Sequence, residues 1–157
     1  MKAIVIGGAG FIGSHLVDAL VEQGFDVHVF DDLSGGKKEN VNPKATLHVA
    51  NICDLTALRE VMKDADYVFH LAALPRVQYS IEYPLETSEI NVMGTLNVLL
   101  AAKDAKVKRF IYSASSSAYG DTDVMPLRES MSANPISPYA LQKYIGELNC
   151  KLFSTIY

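Results

Sequence analysis

Short apolar runs alternate along the chain with longer stretches whose apolar residues return every three or four positions. Lys2 to Ile6 is β-branched, apolar and followed by glycines, the pattern of a strand buried on both faces. From Phe11 to Gln23 the residues Phe11, Ile12, Leu16, Ala19 and Leu20 recur at helical spacing, and Gly24 stops the run. Val27 to Phe30 predicts a second strand and completes a βαβ unit. The alternation continues with a strand at Thr46 to Val49, a helix at Asp54 to Lys63 and a strand at Tyr67 to Leu71. One long helix from Leu85 to Asp104, a strand at Arg109 to Ser113, a polar loop and a final helix from Pro138 onward complete the pattern. Strands and helices in strict turn predict an α/β fold, a doubly wound parallel sheet with right-handed crossovers. At 157 residues the chain has the size of one domain, spanning 1–157.

Between the first strand and helix lies Gly7-Gly8-Ala9-Gly10-Phe11-Ile12-Gly13, which holds both GxGxxG and GxxGxxG spacings. Glycine there lets the chain turn sharply, admits a pyrophosphate to the backbone and allows the helix to lie close on the strand. The helix N-terminus then offers N–H groups and a positive dipole end to phosphate. Asp31 ends the second strand about 20 residues on, where a carboxylate accepts hydrogen bonds from an adenosine ribose. Asp31-Asp32 could also be a plain loop start. With its turn between strand and helix, the unit reads as a Rossmann-type dinucleotide site. The Asp31 charge would repel the 2′-phosphate of NADP, so the expected cofactor is NAD; Lys37 and Lys38 are the only nearby cations.

A net charge of -4, with no Lys/Arg stripe, argues against nucleic acid or an anionic membrane as partner. Lys37-Lys38 reads as a solvated loop. Apolar residues at 49% and charged ones at 20% place the chain among globular proteins. Cys53 and Cys150 stand alone, without a CxxC or histidine pair, which points to reduced thiols in the cytoplasm and no metal site. The apolar start is broken by Gly7-Gly8 and does not read as a signal peptide, and no stretch approaches transmembrane length.

Tyr139 and Lys143 lie four apart in the last helix and so share a face. A free phenol, with a pKa of ~10, is a poor base near neutrality unless positive charge stabilises the phenolate. Lys143 and an oxidised nicotinamide would both supply that charge. Ser113-Ala114-Ser115-Ser116-Ser117 follows a predicted strand, at the carboxyl end of the sheet where substrates gather. A hydroxyl there could bond a substrate oxygen held by Tyr139, or the serines could simply cap their own loop. There is neither a GxSxG elbow nor a GxxxxGK[ST] loop, which sets aside a hydrolase and a P-loop NTPase.

Together GGAGFIGSHL, FDDLSGG, FHLAA, INVMGTLNVLLAA, SASSSAYG and PYALQKY, in this order along the whole chain, resemble the extended short-chain dehydrogenase/reductase family, in its nucleotide-sugar epimerase and dehydratase branch. The resemblance implies that Gly7, Gly10, Phe11 and Ile12 hold the pyrophosphate of NAD and that Asp31, with Asp32 beside it, meets the ribose. Asn51 and Ile52 would flank the adenine, Asn51 standing where the family more often has Asp. Leu71, Ala72 and Ala73 would line the dinucleotide, Asn91 would lie near the active site, and Lys143 would bind the nicotinamide ribose. Tyr139 is the implied base and Ser115 its hydrogen-bonding companion. The 4,6-dehydratases of the branch carry acids before the Tyr-Gly pair. Ser116 and Ser117 stand there instead, so the pattern is similar to UDP-glucose 4-epimerases and their N-acetylhexosamine relatives, to which Leu74-Pro75-Arg76-Val77 adds a little. The implied reaction inverts C4 of a UDP-sugar through a 4-keto intermediate, with Tyr139 taking the hydroxyl proton while hydride passes to NAD and back.

Family members continue past the YxxxK helix into further strands and a smaller region that grips the nucleotide-sugar. The expectation is therefore the cofactor half of such an enzyme, lacking that C-terminal substrate-binding region. Arg109 to Ser113 would then lie on a sheet edge, and the helices around Ile90 to Ala102 and Tyr144 to Phe153 carry apolar residues on more than one face. Both features predict a homodimer or higher homo-oligomer. A silent NAD(H)-sensing module and a carbonyl reductase of the same superfamily are the alternatives, and Asp31 speaks against the second.

Overall fold

The structure is a computed structural model and describes residues Met1 to Tyr157. Its centre is a five-stranded, wholly parallel sheet of β1 (Lys2–Ile6), β2 (Asp26–Asp31), β3 (Thr46–Val49), β4 (Tyr67–His70) and β5 (Arg109–Tyr112). The order is β3-β2-β1-β4-β5, so the chain winds outward one way from β1 and then returns to the other side. The reversal opens a crevice at the carboxyl ends of β1 and β4, where ligands of open α/β sheets bind.

β1 shows why its sequence has no polar alternation. Ile4 and Ile6 join Phe30, Val68, Leu58 and Met62 in a core on one face of the sheet. Ala3 and Val5 join Val17, Leu20, Val27 and Val29 on the other. A strand covered on both sides must be apolar at every position. Helix α1 (Phe11–Glu22) covers the second face. Helices α2 (Leu55–Val61), capped by the Asp54 carboxylate on the Ala57 N–H at 3.0 Å, and α5 (Thr95–Asp104) cover the first.

The long helix expected from Leu85 to Asp104 is instead three joined pieces. They are α4 (Pro84–Ser88), which opens on its proline, a π-helical segment over Glu89–Gly94, and α5; ahead of them stands a further helix, α3 (Val77–Glu82), too short for periodicity to reveal. The wide turn has a packing cause. It brings both Asn91 and Gly94 inward, and a Cβ at Gly94 would lie 2.6 Å from the Ile52 side chain. The Thr95 hydroxyl takes up the Asn91 carbonyl at 2.7 Å, a group the altered ladder would leave short of a donor. Helix α6 (Pro138–Ile156) starts on a Ser137 cap, whose Oγ accepts the Ala140 N–H at 3.1 Å, with proline at its first position. β5 lies on the sheet edge. No helix is long and apolar enough to cross a membrane.

Leu58 is fully buried where α2 meets the sheet. Replacing it with alanine removes core contacts that the packed interior cannot refill, so Leu58→Ala should lower unfolding stability by about 2–5 kcal/mol in urea titration, with its cooperativity kept.

Candidate functional site

A cleft of about 470 Å³ lies along the carboxyl ends of the strands. Its floor is the glycine turn. Gly7 has φ +85, and a Cβ there would stand 2.5 Å from the Ala72 backbone nitrogen. At Gly13 a Cβ would run into the Gly7 carbonyl oxygen. These two positions therefore need glycine, the first for its backbone angle and both for close approach. Gly10 is the N-cap of α1 and brings no side-chain acceptor. The N–H groups of Phe11, Ile12 and Gly13, which have no carbonyl one turn back, are left at the cleft.

Asp31 stands at one end, only 8% exposed. Its Oδ2 accepts the Ala9 N–H at 3.0 Å and its Oδ1 the Leu33 N–H at 2.8 Å, so the carboxylate braces the turn while keeping lone pairs for a ligand. Asp32 is engaged as well, with Ser34 on Oδ1 and Asn51 Nδ2 on Oδ2 at 2.9 Å. Asn51 thus donates to a carboxylate, a bond that an Asp at this position could not make without repulsion. It does not line the cleft, whereas Ile52 does. Ser34, Gly35 and Gly36 also line it, and the segment is tied to the turn by the Lys37 N–H and Asn40 Nδ2, both donating to the Ala9 carbonyl. The FDDLSGG stretch could have signalled these residues.

Leu71, Ala72, Ala73, Leu74 and Pro75 form the wall after β4. Asn91 is behind that wall, 1% exposed, its Oδ1 accepting the Leu74 N–H at 2.8 Å and its Nδ2 donating to the Leu74 carbonyl at 3.1 Å. Ser113 and Ala114 border the cleft, and Ser115 does not. Ser115 instead caps a short 3-10 turn over Ser116–Tyr119, with its Oγ 2.8 Å from Ser117 Oγ and accepting the Ser117 N–H at 3.2 Å.

Opposite Asp31, α6 presents Tyr139 and Lys143 to the same cleft. The Tyr139 N–H donates to the fully buried Ser80 Oγ at 3.0 Å, a second acceptor for the helix start that sequence reading missed. Lys143 is 4% exposed with no carboxylate partner, its ammonium 4.3 Å above the Tyr112 ring. Burial pulls its pKa down to about 8, and Cys150 opposes this slightly. Burial likewise raises the Tyr112 phenol. His70, wholly buried, is lowered to about 3 by desolvation and then by Lys143, and so is neutral. Its Nε2 faces Thr95 Oγ1 at 2.9 Å, and that hydroxyl already donates to Asn91; Nε2 therefore carries the proton, and Nδ1 has no partner.

Of the residues expected at the site, the fold gathers Gly7, Gly10, Phe11, Ile12, Asp31, Asp32, Ile52, Leu71, Ala72, Ala73, Tyr139 and Lys143 around one cleft, and leaves Asn51, Asn91 and Ser115 just outside its lining.

A family model described as the NAD dependent epimerase/dehydratase family matches residues 3–157. A UDP-glucose 4-epimerase of Lactobacillus helveticus is 40% identical over 149 residues, covering 94% of this chain and 45% of that protein. Among solved structures, UDP-glucose 4-epimerase of Thermotoga maritima with UDP-glucose superposes with a TM-score of 0.96 at 40% identity, covering 100% of this chain and 52% of that one. A UDP-N-acetylglucosamine 4-epimerase of Methanobrevibacter ruminantium in complex with UDP-N-acetylmuramic acid gives 0.94 at 42% identity, with 99% and 51% covered. The chain spans about half the length of the curated relatives it matches.

Charged Lys143 costs the folded state in full below pH 8, because its pKa there is lower than the 10.5 of an exposed lysine. The cost fades as pH rises from about 8 to 10.5, since the unfolded chain then binds the extra proton. Lys143→Met should therefore be more stable than the parent at neutral pH, by up to about 3 kcal/mol, and lose that advantage toward pH 10.5, as read by urea titration across the range.

Proposed function

The chain belongs to the NAD dependent epimerase/dehydratase family, and from that premise we propose that it binds NAD in this cleft and serves as a nucleotide-sugar 4-epimerase acting on UDP-glucose and UDP-galactose or on their N-acetylhexosamine counterparts. The observation that carries the proposal is that Tyr139 and Lys143 line the same cleft as the glycine turn and Asp31.

The residues fit the cofactor. A Cβ would fill the cradle at Gly7 and Gly13, and the open N–H groups at the start of α1 suit a pyrophosphate. At the far end, Asp31 suits two ribose hydroxyls and disfavours a 2′-phosphate. Gly7, Gly10, Phe11 and Ile12 would hold the pyrophosphate, with Asp31 and Asp32 at the adenosine ribose and Ile52 at the adenine. Leu71, Ala72 and Ala73 would line the middle, and Lys143 would meet the nicotinamide ribose. Asn51 and Asn91 act from behind the lining, through Asp32 and Leu74. When bound, NAD would supply the hydride acceptor and donor at C4 of the sugar.

The protein's own part is proton handling and orientation. Tyr139 is the base for the sugar 4-hydroxyl proton, and Lys143, one helical turn on, lines the same cleft beside it. Ser115, from the loop beside Ser113, is the companion donor to the sugar oxygen. Ser116 and Ser117 supply no acid for water elimination, which favours epimerisation over dehydration. A second reading, a cofactor-binding module without turnover, is favoured by the Ser115 hydroxyl being engaged with Ser117.

For the chain with NAD and UDP-glucose, UDP-galactose or UDP-N-acetylglucosamine, C4 inversion of at least one sugar is expected by NMR. Tyr139→Phe should cut that rate by about 10²–10⁴-fold while cofactor binding holds. Bound NAD with no inversion in the parent would favour the module, and full activity in Tyr139→Phe would overturn the catalytic assignment.

For self-association, Leu141, Leu148 and Leu152 form an exposed stripe along α6, near-integral turns apart, with Met93 exposed on the π segment. We assign this stripe to a two-fold homodimer helix bundle. Sedimentation should give a dimer at micromolar concentration, converted to monomer by Leu148→Glu; a monomeric parent would remove the assignment.

A further inference from the structure

Gln142 follows directly on the helix turn that carries Tyr139, yet it turns away from the cleft into the packing of α6 and is 3% exposed. Its Nε2 donates to Thr87 Oγ1 at 2.9 Å and to Ser88 Oγ at 3.1 Å, both on α4. Its Oε1 accepts Asn91 Nδ2 at 2.8 Å. Asn91 in turn grips the Leu74 backbone by N–H and carbonyl together.

This relay has one arrangement. The Thr87 hydroxyl gives its proton to the Tyr83 carbonyl at 3.0 Å, so it offers Gln142 only lone pairs and must face the amide nitrogen. At the other end, the Leu74 N–H and carbonyl dictate which end of the Asn91 amide is which. Flipping either amide would set donor against donor or acceptor against acceptor. All four amide hydrogens of the two side chains are used, two by each.

We propose that Gln142 is a positioning residue that sets where Tyr139 and Lys143 stand against the Leu71–Pro75 wall of the cleft. The proposal rests on reading those two side chains as the reacting pair. A hydrophobic residue at 142 could fill the space, but only directional bonds tie the rotation of α6 to a particular peptide of the opposite wall. The requirement is tight, because a misplacement of about 1 Å can lower a rate ~10²-fold.

The test uses Gln142→Met, which keeps the length and removes the bonds, with Thr87→Val as the milder variant. The first readout is the titration of Lys143 by carbon NMR of its Cε in the unliganded, lysine-labelled chain. Lys143 stands over the Tyr112 ring on β5, shares the cleft with Tyr139, interacts electrostatically with Cys150 on α6 and His70 on β4, and has Glu147 one helical turn on, none of which is altered. In a folded Gln142→Met chain, α6 slackens and water reaches the ammonium, so the Lys143 midpoint should rise by about one pH unit or more. Thr87→Val should shift it the same way by less. Because this readout needs neither cofactor nor sugar, it stands even where the chain proves to have no epimerase activity; where turnover is present, kcat should fall more than KM rises. A folded variant whose Lys143 midpoint stays at the parental value overturns the proposal, and where Gln142→Met does not fold, Thr87→Val alone decides.

Discussion

At the carboxyl end of β1 two backbones come so close that a Cβ on Gly7 would stand 2.5 Å from the Ala72 nitrogen. This approach follows from the strand order. β1 pairs with β2 on one side and β4 on the other, and the Leu71 and Ala72 N–H groups both donate to the Ile6 carbonyl, at 2.8 and 3.0 Å. The turn after β1 and the wall after β4 are thereby bonded to one residue. Asp31 ties the turn to the end of β2 through the Ala9 N–H. A cleft built this way has walls whose separation is set by the sheet, and its ligand chemistry is backbone N–H and carboxylate more than flexible side chain.

Charge is distributed unevenly along that cleft. Asp31 is buried, and each of its carboxylate oxygens accepts a backbone N–H. Lys143 is buried without an anion and faces an aromatic ring, and its lowered pKa of about 8 is the result. His70, which could have carried a second positive charge nearby, is kept neutral by the same burial. The positive end is thus held in readiness for a negative partner, such as a phenolate or ribose oxygen, that the folded chain alone does not provide. The stability lost at Lys143 is a local conflict of the kind that functional sites carry.

What was legible in the sequence was local. The glycine turn, Asp31 and the Tyr139/Lys143 face each rest on a strand end, a turn or one helical repeat, and each is readable within its own short stretch of chain. Periodicity does not distinguish a π turn from an α turn across six residues, so it predicts one long helix through Asn91 and Gly94. Their inward positions come from Leu74 and Ile52, far away in the chain. Gln142 was invisible for the same reason: a lone glutamine before a lysine reads as surface, and its partners are 51 to 55 residues distant. Among the serines, the one reaching the cleft depends on β5 ending at Tyr112, one residue before the boundary the pattern suggested.

The engagement of Ser115 is small in energy beside the role proposed for it. Its hydroxyl shares one neutral bond with Ser117 Oγ and accepts one long backbone bond, on a half-buried turn where water can replace either. Exchanging such a bond costs about 0.5–1.5 kcal/mol. A hydrogen bond to an oxygen that is gaining negative charge is roughly twice as strong as a neutral one. Under the proposed reading, such an oxygen would outcompete the Ser117 hydroxyl as the partner of Ser115. The unliganded turn meanwhile keeps that hydroxyl satisfied.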